Sequence, residues 1–194
     1  MQSNSLLFAG ADISSGRKPV TFAALDEDSN ITILEKWDIP TALGVLREYK
    51  NVSLVINLST SKVAQSVSEG FKNQIFQAGF QSLSQEDQPK HWLETNAQDC
   101  YRVWIGETPL PRRTLEGRLQ RALILYEQAL RIEDPMEIFE EITRYKLIKG
   151  NFRLENLYSS KELDALAAAY LAWMTVNRPE QIVAKGKLIQ PAQE

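Results

Sequence analysis

Three acids and four arginines are the residues of this chain that could do chemistry. Asp12 closes an apolar run, residues 6–13 (LLFAGADI), just before a Ser/Gly turn. Side chains at such strand ends are held by a rigid sheet and open to a ligand, although an aspartate before a turn also serves to cap backbone N–H groups. Asp164 stands in LDALAAAYLAW, a segment apolar on nearly every side. A carboxylate there needs a partner or a metal, because an isolated buried charge is costly. Its competing role is to stabilise the start of a helix, which Glu162 already suits. Glu107 follows the apolar stretch 101–105 and precedes a Thr-Pro turn. Clustered carboxylates are what magnesium or manganese requires, and two such metals can activate water and stabilise a leaving oxygen in phosphodiester cleavage. Arg112, Arg113, Arg118 and Arg121 form a basic cluster suited to a phosphate backbone, or to a solvated helix face.

Other chemistries are thinly supplied. His91 is the only histidine and lies in a polar stretch, QPKHW, that reads as a surface loop. A two-histidine zinc site is excluded, and a serine or cysteine triad would depend on His91 alone. Cys100 is the only cysteine, so no intrachain disulfide forms, which suits a reducing compartment. The first residues lack the basic and apolar regions of a secretory signal. The most apolar stretch, residues 163–176, is shorter than the roughly 20 residues that span a bilayer. A cytoplasmic protein without a membrane partner is expected. The net charge of −3 argues against broad charge-driven nucleic-acid binding, while leaving room for a local basic patch.

The elements that must position these residues follow from periodicity. With 194 residues, 43% apolar and 24% charged, the chain is expected to form one domain over 1–194. Strands are expected at 6–13, 20–25 and 31–39, the last two joined by a hairpin loop at 26–30. A helix over 41–49, a strand over 52–58 and a helix over 62–77 come next. Residues 81–98 read as loop and 101–105 as a further strand. Helices are expected at 114–131, at 135–148 closed by Gly150, and from Ser159 to 176, where SSKE matches a capping box. The tail 182–191 adds a short strand. The sum is an α/β fold: a mixed central sheet, with an antiparallel three-stranded meander and parallel strands, flanked by helices. That is the topology of the ribonuclease H-like fold, and the order is also compatible with other α/β folds.

Three segments carry a family resemblance: AGADISSGRKPVTFAAL, GETPLPRRTLEGRLQRALIL and ELDALAAAYLAW. Together they resemble the domain of unknown function 429 family, described as predicted ribonuclease H-like nucleases. Asp12 matches that family's strand-terminal acid. Glu107, Pro109, Arg113, Thr114, Glu116, Gly117 and Arg121 match its central motif, and Asp164, Ala165 and Tyr170 its late helix. The resemblance implies a metal-dependent nuclease or related phosphoryl hydrolase. Asp12, Glu107 and Asp164 would be catalytic, Mg2+ or Mn2+ would sit on Asp12, Asp164 and Asn57, and the arginines would hold DNA or RNA. One position departs: Asn57 stands where the family has an acid, offering a carbonyl oxygen but no charge, which weakens a divalent site. The alternative is therefore a catalytically degenerate ribonuclease H-like protein that works as a binding or scaffold module. A third, weaker option is nucleotide binding, from a loose likeness of residues 12–16 to the phosphate loop of actin-like ATPases.

Overall fold

A computed structural model describes residues 3–13, 19–58, 62–82, 89–136, 144, 147–149, 157–185 and 188–193. The architecture is α/β, with a mixed central sheet flanked by helices. Strands β1 (Ser3–Asp12), β2 (Val20–Leu25) and β3 (Ile31–Trp37) form the antiparallel meander. The strand β4 (Tyr49–Asn57) lies parallel to β1 on its other side, and β6 (Lys90–Thr95) lies parallel to β4. Two-residue β5 (Gln81–Ser82) pairs with β6, and the hairpin of β7 (Ile182–Lys185) and β8 (Leu188–Pro191) completes the order β3-β2-β1-β4-β6-β8-β7.

Alternation along the strands divides the core in two. Phe8, Val55 and Leu93 face one side, against α3 (Ala97–Ile105), α4 (Leu115–Glu127) and α5 (Ser160–Asn177). Leu7, Ala9, Leu54 and Ile56 face the other, against α1 (Ile39–Glu48) and α2 (Lys62–Gln77). The α5 helix is the central prop, packing on β1, β2 and β4. Every residue from Leu163 to Leu171 is buried, with Asp164 as the one charged member. The expected capping box is present: Ser159 N donates to Glu162 Oε2 at 2.6 Å, and Glu162 N donates to Ser159 Oγ at 3.3 Å. Gly10 lets α5 seat directly on β1. A Cβ at that position would lie 2.2 Å from Ala165 O and 2.3 Å from Ala169 N.

Two expectations are corrected. Residues 101–105 are helical, not a strand. Asn96 caps α3 by accepting from Gln98 N at 3.0 Å, Ala97, Cys100 and Tyr101 are buried at helical spacing, and Gly106 ends it at φ 71°. The missing strand is Lys90–Thr95, inside the stretch read as loop. Its polar residues are held by neighbours: Lys90 Nζ donates to Leu46 O and Arg47 O, both at 3.3 Å, and Glu94 pairs with Lys72 at 2.5 Å. His91 accordingly lies within β6, opposite Ser53 of β4. The expected helix over 135–148 and its closing Gly150 lie largely outside the described residues, as do residues 14–16 of the stretch 12–16 compared with a phosphate loop. Among the described residues, no helix is long and apolar enough to cross a membrane.

Candidate functional site

Register brings three polar side chains to one row. Asp12 ends β1 opposite Asn57 at the end of β4, and Asn57 is opposite Thr95 at the end of β6. Each follows its strand's inward residue by two (Phe8–Gly10–Asp12, Val55–Asn57, Leu93–Thr95), so all three project toward the α3–α5 layer. The carboxyl ends of parallel strands are where open α/β sheets place their ligand crevices. All three residues are buried, Asp12 to 1% exposure and Asn57 to 2%.

Asn57 couples this row to a helix start. Its Nδ2 donates to Asp12 Oδ1 at 2.8 Å, and its Oδ1 accepts from Ala97 N at 2.8 Å. It thereby satisfies one of the first amides of α3. Thr95 Oγ1 donates to Ile189 O at 2.9 Å, tying β6 to β8, and lies 3.1 Å from Cys100 Sγ. Burial pushes the Cys100 thiol up to about 12, which removes it as a nucleophile at neutral pH.

Asp164 enters from the first turns of α5, fully buried. Its Oδ2 is 2.7 Å from Arg112 Nη2, and its Oδ1 accepts from Gln98 Nε2 at 3.1 Å. Gln98 Oε1 in turn accepts from Arg121 Nη2 at 2.6 Å. Burial pushes the Asp164 carboxyl up to about 7; Arg112 opposes this, the Asp12 charge adds to it, and Arg121 and Gln98 oppose it. Asp12 and Asp164 thus belong to one electrostatic group.

The central motif proves to be the scaffold of this pairing. Thr114 caps α4, accepting from Gly117 N at 3.0 Å and donating to Pro111 O at 2.9 Å. Gly117 is needed because a Cβ there would come within 2.1 Å of Pro111 O. Arg121 is 1% exposed; its Nη1 donates to Leu110 O at 2.9 Å and Gly117 O at 2.8 Å, and its guanidinium stacks 5.3 Å from the Tyr101 ring. These contacts fold segment 106–114 back so that Arg112 meets Asp164.

The other candidates fall elsewhere. Glu107 follows Gly106 at the far end of α3, exposed. The helix begins at Ala97, beside Asn57, and runs on for nine residues, about 13 Å at the α-helical rise. A strand over 101–105 would bring Glu107 to the row of strand ends, whereas the helix carries it away from them. Among the described residues, no group of three or more His, Cys, Asp and Glu side chains could hold a metal ion. Arg118 is engaged with the carbonyl oxygens of Tyr158 and Leu157, so it does not form a phosphate-facing pair with buried Arg121. Arg113 is exposed, and the Arg112 side chain retains 32% exposure. Gln98, the link between Asp164 and Arg121, carries no sequence signal, since it lies in a stretch without visible periodicity. Comparison of the chain with family models, curated proteins and solved structures finds no match.

Proposed function

We propose that this chain is a ribonuclease H-like domain, similar to the domain of unknown function 429 proteins, whose strand-end site no longer holds catalytic metal and works as a binding or scaffold module. The order β3-β2-β1-β4-β6, antiparallel across the meander and parallel beyond it, supports the fold reading. The partner set of Asp164 carries the functional one. Magnesium and manganese need several convergent anionic oxygens. Here one Asp164 oxygen faces the Arg112 guanidinium, the other accepts from Gln98, and Asn57 Oδ1 is spent on Ala97 N. The residues present do not fit a two-metal centre.

A metal-dependent nuclease acting on DNA or RNA is the second reading. It is favoured by one observation, that Asp12 lies close enough for its charge to act on the Asp164 carboxyl. Arg113 and the outer part of Arg112 are what such a site would offer a phosphate backbone.

Thermal denaturation of the wild-type chain with millimolar Mg2+ or Mn2+, beside cleavage assays on single- and double-stranded DNA and RNA, separates the two. The binding-module reading expects no metal-dependent change in Tm and no cleavage. A metal-dependent rise in Tm that Asp12→Asn abolishes, with cleavage, would establish the nuclease instead.

A further inference from the structure

We infer that Arg112 and Arg121 together supply, at Asp164, the two positive charges a divalent cation would bring to this site, and that Arg112 is the removable half of this built-in counter-cation. The inference rests on the degenerate-site reading and deepens it. Among the described residues, the two acids Asp12 and Asp164 and the two arginines Arg112 and Arg121 make up this group, and with both acids ionised their formal charges cancel. Both arginines act on Asp164: Arg112 directly at 2.7 Å, and Arg121 through Gln98, at 2.6 Å on one side and 3.1 Å on the other. A guanidinium keeps its charge at any physiological pH and binds carboxylate oxygens well, so it can take a cation's place permanently.

The two arginines are held differently. Arg121 is 1% exposed, and it also ties down Leu110 O and Gly117 O. Removing it would undo the start of α4 as well as the charge. Arg112 reaches Asp164 from segment 106–114 with 32% of its side chain exposed, against 1% for Asp164. Its loss would open a route from solvent to a buried carboxylate. Asn57 fits the same logic, because an acid there would add a negative charge 2.8 Å from Asp12 Oδ1.

The test is Mn2+ binding at pH 7.5, followed by calorimetry and thermal denaturation, on the wild type, Arg112→Gln and Asn57→Asp/Arg112→Gln. The wild type should show no Mn2+-dependent shift. The double variant should gain about 5–10 °C in Tm at Mn2+ well above its Kd, with the single variant between them. Adding Asp164→Asn should abolish the gain. If Arg112→Gln does not fold in buffer, Mn2+ should restore its folding, and failure to do so overturns the inference. Variants that gain no affinity over a metal-blind wild type also overturn it, while leaving the degenerate-site reading intact. A wild type that binds Mn2+ as tightly as the variants overturns both.

Discussion

At the scale of single residues, the Asp164 proton has a consequence for stability. Folded Asp164 keeps its proton up to about pH 7, whereas an unfolded aspartate releases it near ~4. Between these values the folded chain binds more protons than the unfolded one. The stability due to this group is therefore complete below about pH 4, declines as pH rises, and is lost above 7. Asp12, Arg112 and Arg121 are the charged groups that set the balance. Urea denaturation between pH 4 and 8 should show the wild type losing stability relative to Asp164→Asn as pH rises, and parallel curves would count against the assignment. Arg121 is expected to matter more than any exposed arginine. Arg121→Met removes the hydrogen bonds that a buried guanidinium makes to Leu110 O, Gly117 O and Gln98 Oε1, and should lower stability by about 3–5 kcal/mol. Arg113→Ala, at an exposed position, should stay within about 0.5 kcal/mol by the same measurement.

At the scale of elements, the contact between β1 and α5 governs the site's geometry, because Asp12 and Asp164 lie on these two packed elements. Gly10→Ala forces a methyl group against Ala165 O and Ala169 N, both helix backbone atoms that can only move with α5. A loss of about 3 kcal/mol or more is expected, at the upper end for overpacking, read as a lowered denaturation midpoint. Much of this element plan was legible in the sequence. The meander, β4, α4 and the capping box at Ser159 all follow from alternation, turn chemistry and apolar spacing. The stretch 90–105 was not, for a physical reason. Lys90 and Glu94 look like loop residues because their partners, the end of α1 and Lys72, are distant in sequence. Val103, Trp104 and Ile105 favour strands by composition, and only the Asn96 cap and the Gly106 stop reveal a helix. For the site, Asp12 and Asp164 were legible as acids in apolar settings. Gln98 and the seat of Arg112 were not, because both depend on how α3 and α4 pack together.

At the scale of the whole molecule, the sheet has a core on each face, and the strands belong to both. Phe71 lies in one and Leu166 in the other, both fully buried. Phe71→Ala should cost about 3–5 kcal/mol and Leu166→Ala about 2–5. Their effects should add to within about 0.5 kcal/mol, since the sheet separates the sites. Calorimetry that resolves two transitions instead of one would show the faces to be independent units. The seating of Gly10 on Ala165 and Ala169 bears finally on how the chain is made. It joins residues more than 150 positions apart, so the β1 face toward α5 stays uncovered on the ribosome until α5 has been made and has emerged. Closing such distant contacts is slow, and the nascent chain presents its apolar strands to chaperones throughout that interval.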